Sequence, residues 1–396
     1  MNRRLLSVLM CFSAAIPLLA QPKTNLKKDS VDFTFSVEKA NGWTDLFYRK
    51  SGWFGGDGIF SIPLSGVDKN NNAGNDSTLI LFGDTYIGEV KNDKPVAGQY
   101  TMVNNSIAYI TGNDPDAAKL HFYHKKAKDG TPKSIFIPQT STAAKPQLFW
   151  LGDGFVNKEL NNTTYLFGYK VERTGEGVFD FIEPGVSLIA IPKGSKLPFD
   201  EHRQIETNLH INNPTIGEGN FGAGILVNTS WAGAPQPDGY VYVYGCIGQD
   251  KNLVVSRVLP KKFEQLNKWQ YWNGSNWSSN INDLKPLING VSNEISMTTL
   301  PDGRFLLIFQ VMGLSDKIGM RVAASPLGPF SPITEIYTTP EWQQGIWTYN
   351  AKAHPNLSKP GELLISYNTI TADFWNDILK NAHIYRPRFI TLKLNL

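Results

Sequence analysis

Residues Leu79–Thr85 read LILFGDT, an apolar, aromatic-containing run that ends on an acid and a β-branched residue. A run this short and this apolar, bounded by turn residues, suits a strand buried on both faces. It recurs as YLFGYK (Tyr165–Lys170), YVYVYGCI (Tyr240–Ile247), FLLIFQVM (Phe305–Met312) and LLISYNT (Leu363–Thr369). Aligned on Phe82, Phe167, Tyr244, Phe309 and Ser366, the runs lie 85, 77, 65 and 57 residues apart, enough each time for a four-stranded sheet with loops.

Each run is preceded by a strand-like segment: 58–64, 148–156, 221–228, 294–300 and 349–357. Each is also followed by one: 106–111, 186–191, 253–259, 318–325 and 388–394. Turn signals such as Pro301-Asp302-Gly303 and Pro360-Gly361 separate them. Helical periodicity is weak outside a short stretch at Phe374–Asn381. The expected fold is an all-β, five-bladed β-propeller forming a single domain over residues 31–396. A last blade with an open edge would invite pairing with other chains. The alternating segment VDFTFSV (Val31–Val37) is expected to cover that edge beside Arg388–Leu394, so that an N-terminal strand closes the last blade. A two-sheet sandwich is the alternative.

Composition narrows the class. The chain has 396 residues, 41% hydrophobic, with 35 glycines and 24 prolines, a turn-dense globular make-up rather than a disordered one. Charged residues are 18% and the net charge is +3, so no basic field exists for a nucleic-acid backbone, and nucleic acid is excluded as a partner. Arg3 and Arg4 precede an apolar run from Leu5 to Leu19 with Ala20 before Gln21. That order is a secretory signal peptide over residues 1–20, followed by a lysine-bearing leader over 21–30. A secreted protein of a bacterial periplasm or cell exterior is expected, a monomer with no membrane span. With Cys11 removed, Cys246 is left alone and packing must carry the stability.

The topology says where chemistry sits. In an antiparallel blade, the start of the first strand, the end of the second and the start of the third share one edge. In the first blade those positions hold Asp57 (GGDG), Asp84 (FGDT), Asn104 and Asn105. Neighbouring strands are roughly 4.8 Å apart. Carboxylates on them fall in the range of glycosidase pairs, roughly 5–5.5 Å for a covalent route and 6.5–9.5 Å when a water must fit. Two such acids suit glycoside hydrolysis because one arrives protonated to assist the leaving oxygen while the other activates water. Asp57 reads as the base and Asp84 as the acid. Trp53 and Phe54 are expected as flat surfaces for a sugar ring. Glu218, Glu294, Asn350 and His354 open or line the first strands of later blades and are expected to contact hydroxyls or tune an acid. Asp153 (WLGDGFV) falls later in its strand and reads as a turn residue. Trp231, Trp342, Trp347 and Trp375 lie in presumed loops. The basic segment His121–Lys133 has no Cys or carboxylate cluster with metal-ligand spacing. No Gly-rich phosphate loop leads a strand into a helix, so no cofactor is expected. A structural cation in the channel beside His354 stays open.

The runs GWFGGDGIFSIPL (52–64), LILFGDTYIG (79–88), VNNSIAYI (103–110), SPLGPFS (325–331), YNAKAHP (349–355), LLISYN (363–368) and YRPRFI (385–390) resemble the secreted bacterial domain-of-unknown-function families 4185 and 5005. The resemblance implies the five-bladed propeller clan of furanosidases. It also implies relatives that are endo-acting D-arabinanases, inverting the anomeric centre through two aspartates. Carried over by motif, that pair is Asp57 and Asp84. The polar insertion VDKNNNAGND (67–76) is longer than in the arabinanase branch and leaves the sugar open. The reading is a glycoside hydrolase acting on an arabinofuranose-type or related polysaccharide, with a non-catalytic glycan-binding propeller as the alternative. A three-carboxylate scheme (Asp57 base, Asp153 tuning acid, Glu218 acid) is the second enzymatic possibility.

Overall fold

Each apolar run sends successive side chains to opposite faces, and both faces are covered. Leu79 and Leu81 join a cluster with Phe149, Leu166 and Ile189, while Ile80 and Phe82 join another with Phe47, Leu364 and Phe389. In the same way Leu306 and Ile308 face Ile365 and Leu392, and Leu307 and Phe309 face Tyr244 and Val255. Full burial of such a side chain contributes roughly 1.5–3 kcal/mol. The runs are therefore continuously apolar because each strand lies between two neighbouring layers.

A computed structural model of the chain describes residues 32–70, 76–139 and 147–396. The expected signal peptide (1–20) and leader (21–30), and residues 71–75 of the insertion at 67–76, lie outside the described residues. The chain is all-β. After β1 (Thr34–Lys39) and a short helix α1 (Asn41–Leu46), β2 (Ser51–Gly56) pairs with β5 (Thr85–Lys91), which pairs with β6 (Lys94–Val103). Below this three-stranded sheet lies the first four-stranded one: β3 (Phe60–Pro63), β4 (Ser77–Phe82), β7 (Ser106–Thr111) and β8 (Leu120–Tyr123). A small hairpin, β9 (Lys125–Lys126) with β10 (Pro132–Lys133), comes next.

The second sheet is β11 (Leu148–Asn157), β12 (Thr163–Arg173), β13 (Phe181–Ile191) and β14 (Arg203–Glu206). The third is β15 (His210–Asn213), β16 (Gly217–Asn228), β17 (Tyr240–Ile247), β18 (Asn252–Val258), β19 (Gln270–Trp272) and β20 (Trp277–Ser278). The fourth is β21 (Ile295–Thr299), β22 (Phe305–Gln310), β23 (Lys317–Ala323) and β24 (Thr334–Thr338). In the last, β25 (Ile346–Ala353), β26 (Glu362–Thr371) and β27 (Arg388–Asn395) are joined by β1, with Val37 opposite Leu392.

Successive sheets share apolar clusters, and the last sheet shares one with the first through Phe82, Leu364 and Phe389. The strand segments expected from sequence coincide with β3, β4 and β7 and with their counterparts in the later sheets; Phe374–Lys380 is helix α2. The sheet of β2, β5 and β6 and helix α1 are not foreseen. Their residues are rich in glycine, or alternate too briefly to stand out.

The first strands are bent. Register shifts occur at Trp53/Gly55 in β2, Leu151/Gly154 in β11, Phe221/Gly224 in β16 and Tyr349/Lys352 in β25. Such bulges re-aim side chains.

Candidate active site

Asp57 and Asp84 stand where two paired strands change sheets together. The chain leaves β2 for β3 through Asp57 and leaves β4 for β5 through Asp84. The crossing is clamped by backbone bonds: Gly83 N–H donates to the Asp57 carbonyl at 2.8 Å and Asp57 N–H to the Asp84 carbonyl at 3.4 Å. Gly83 is required here. A Cβ on it would come within 2.7 Å of Asp57 Oδ1, so the residue before Asp84 must be bare for the carboxylate of Asp57 to lie alongside.

The two carboxylates have opposite surroundings. Asp84 Oδ1 accepts from Asn104 Nδ2 at 3.0 Å and from Trp150 Nε1 at 2.9 Å, and Oδ2 from Arg173 at 3.3 Å. Burial raises its pKa, and these three donors oppose that by favouring the ionised form. Among the described residues, no cation is in contact with Asp57. Its pKa is pushed up to about 7, first by burial and then by the negative charge of Asp84, against hydrogen bonds from Tyr349 (Oη to Oδ2, 2.8 Å) and Tyr385 and the positive charge of Lys352. The donors around Asp84 favour its charged form, whereas burial and the charge of Asp84 favour the proton on Asp57.

Both acids line an open cavity of about 600 Å³. Of the other residues expected there, Glu218, Glu294 and Asn350 line it. Asn350, at φ 55°, donates to Glu294 Oε1 at 2.7 Å. Glu294 also contacts the buried ammonium of Lys352, which lies 3.4 Å from the centre of the Phe60 ring. Glu218 is exposed at the third sheet, 3.3 Å from His210 Nε2. His210 Nδ1 lies 2.9 Å from Asn220 Oδ1, and Asn220 donates to Glu183 Oε2 at 2.5 Å.

Four expectations are corrected. Trp53 is 3% exposed and packs against Phe47, Phe82 and Phe122, and Phe54 is 0% exposed against Tyr86 and Tyr100. Neither ring is free to meet a sugar, because the bulge in β2 turns them into clusters beside and beneath the cavity. Asn105 is fully buried as a loop clamp: it donates to the Phe136 and Phe149 carbonyls and accepts from Phe136 N–H. His354 is buried between Ser61 and Ser366, each 2.8–2.9 Å from a ring nitrogen. Burial and the charge of Lys352 hold its pKa down to about 3, so the ring is neutral and both nitrogens are engaged.

Asp153 is more than a turn residue. It accepts from Gly154 and Ile225 N–H at 2.8 and 2.7 Å, and burial pushes its pKa to about 7. Yet it lines a separate cavity of about 50 Å³, away from Asp57 and Glu218. Among the described residues, no group of three or more His, Cys, Asp or Glu side chains is placed to hold a metal ion.

Arg173, Trp150, Tyr349 and Tyr385 are the site residues that sequence reasoning missed. Tyr349 and Tyr385 stand in YNAKAHP and YRPRFI, Trp150 in WLGDGFV, so each lay inside a quoted stretch without a signal of its own. Arg173 ends β12 and carries none.

A family profile described as a domain of unknown function (DUF5005) matches residues 40–394. The crystal structure of a provisionally named hydrolase from Bacteroides ovatus superposes with a TM-score of 0.67 at 21% identity, covering 93% of this chain and 92% of that one. An α-L-arabinofuranosidase from Podospora anserina gives 0.42 at 12% identity, covering 88% of this chain and 98% of that one. An exo-β-1,3-galactanase from Phanerochaete chrysosporium gives 0.44 at 9% identity, covering 84% and 63%. These likenesses concern the fold alone. No curated protein sequence matches.

Proposed function

The chain belongs to the DUF5005 family, and from that premise we propose a secreted glycoside hydrolase that inverts the anomeric centre of an arabinofuranose-type or related polysaccharide. The observation that carries the reading is the unequal pair, Asp57 and Asp84, on the wall of one open cavity. The framework is a single five-bladed propeller over residues 31–396, closed by β1 and working as a monomer.

In this mechanism Asp57 is the acid. It gives its proton to the glycosidic oxygen as the bond to the anomeric carbon breaks. Asp84, kept ionised by Arg173, Trp150 and Asn104, takes a proton from the water that attacks the opposite face of that carbon. This reverses the roles expected from sequence, for an electrostatic reason: Arg173 pairs with Asp84, whereas Lys352 acts on Asp57 without an ion pair to it, and burial and the charge of Asp84 outweigh it. Asp153 lines a different cavity, which counts against the three-carboxylate scheme.

The test is a screen of the purified protein against arabinans, arabinogalactans and xylans. On a hydrolysed substrate, kcat/KM is expected to fall as pH rises through about 7, because Asp57 then loses the proton it must donate. A rate that climbs through pH 7 instead would return Asp57 to the role of base. Trp150→Phe keeps an aromatic ring and deletes the N–H bond to Asp84. Charge-assisted bonds contribute about 1.5 kcal/mol or more, so kcat is expected to drop about tenfold. An unchanged kcat would show that the indole does not hold the base.

A further inference from the structure

β12 and β13 pair as far as Arg173 opposite Phe181, so residues 174–180 project beyond the sheet as a hairpin tip. The tip is tied internally. Thr174 N–H donates to the Asp180 carbonyl at 2.9 Å, and Gly177 N–H to Asp180 Oδ2 at 2.8 Å. A side chain on Gly175 or Gly177 would strike that carboxylate, with a Cβ 2.6–2.7 Å from Oδ2.

From the second sheet the tip reaches the last one. Trp375 Nε1, on α2, donates to the Glu176 carbonyl at 3.1 Å. Phe179 stacks on Trp347 of β25 with ring centres 6.4 Å apart, and Val178 packs on the cluster containing Phe54, Tyr86, Phe374 and Tyr385. The first sheet, with Asp57 and Asp84, lies between these anchor points. Arg173 joins the two features, donating to the Val178 carbonyl and to Asp84 Oδ2, each at 3.3 Å. Elsewhere along the lining of the cavity, on the third and fourth sheets, Glu218 and Met312 are exposed to solvent.

We propose that this hairpin is a fixed wall across one side of the carboxylate pair, which confines the site to the ends of glycan chains. The inference rests on the hydrolase reading above and specifies its substrate as a chain terminus. An enzyme that cuts inside a polymer needs a groove open on both sides of the bond being broken. Here a chain entering over Glu218 and Met312 runs into the span from Arg173 to Trp375 beside the acids. Only a terminal unit fits beyond the scissile bond. Arg173 therefore has two duties, holding Asp84 charged and fixing the wall.

The experiment uses linear α-1,5-arabinan and arabinohexaose with the full chain. In the first arm the wild-type products are tracked from the onset of hydrolysis. A single small product of fixed length, with little loss of viscosity, is expected; a broad ladder with rapid loss of viscosity overturns the proposal. In the second arm Asp57→Asn protein, which spares the ligand, is titrated with both glycans. An association constant per chain that is independent of chain length marks recognition of ends, whereas one that rises in proportion to length marks internal binding and overturns it. The absence of any product would count against the hydrolase reading, while the titration would still decide the role of the wall. In the third arm Phe179→Ala with Trp375→Ala removes two of the three anchors to the last sheet and is expected to add internal cuts to the product pattern.

Discussion

Asp57→Asn and Asp84→Asn are each expected to lower turnover at least ~100-fold on a glycan that the wild-type protein hydrolyses, the usual contribution of a positioned acid or base. The two losses should differ in kind. Asn at 84 keeps the shape but has one acceptor oxygen, so it can keep the bond from Trp150 or the bond from Arg173 and not both, and it cannot take a proton from water. Asn at 57 cannot supply the proton that the leaving oxygen needs. A substrate whose leaving group departs without protonation, such as an aryl glycoside with an acidic phenol, should therefore regain much of its rate with Asp57→Asn and none with Asp84→Asn. Equal rescue of both variants would refute the assignment of roles, and wild-type rates in both would refute the two-carboxylate mechanism. Asp57→Asn should change thermal stability little, whereas Asp84→Asn, which takes the carboxylate from Arg173, should lower it. Circular dichroism melts alongside the assays separate lost chemistry from lost structure.

The second large effect concerns stability. Lys352 is 2% exposed on β25, and its ammonium contacts the Glu294 carboxylate. Burial drives its pKa well down, while Asp153 and Asp57 pull it back up. Nearby acids and the Phe60 ring thus surround one cation at the axis. Lys352→Met deletes that cation and leaves Glu294 in a site only 9% exposed, with Asn350 as its remaining donor. Removing one partner of a buried ion pair costs about 3–5 kcal/mol, and a loss of that size is expected in denaturant unfolding. Converting Glu294→Leu as well should recover much of it, because a matched apolar pair carries no stranded charge. A single variant within about 1 kcal/mol of wild type, below the cost of a stranded charge, would mean that Glu294 does not depend on Lys352.

Much of the framework was legible before any coordinates. The run YVYVYGCI is β17 from end to end, and SIAYIT is β7. Continuous apolar runs of six to eight residues between turn signals suit strands covered on both faces, and their recurrence set the succession of sheets. The two acids were legible for a related reason: an antiparallel register fixes which strand ends share an edge. Surroundings were not. Trp53 and Phe54 looked like sugar platforms because aromatics beside glycines commonly are, but a bulge at Trp53/Gly55 decides which way they point. Bulges leave no composition signature. Asn105 and His354 were misread for a similar cause. A buried polar side chain and an exposed one look alike in sequence until their partners, here the Phe136 and Phe149 carbonyls and the hydroxyls of Ser61 and Ser366, are in place.

By itself the sequence determined the features that local pattern dictates: all-β architecture, the repeated order of strands, and the pair of aspartates at one sheet edge. Only the tertiary structure decided which donors and charges surround each of those aspartates, and which distant segments line the cavity beside them. Arg173 lies 89 residues from Asp84 along the chain, and Tyr349 lies 292 from Asp57. A proton's affinity for a carboxylate depends on the charges and dipoles within a few ångströms. Those neighbours arrive from distant sheets only when the sheets pack.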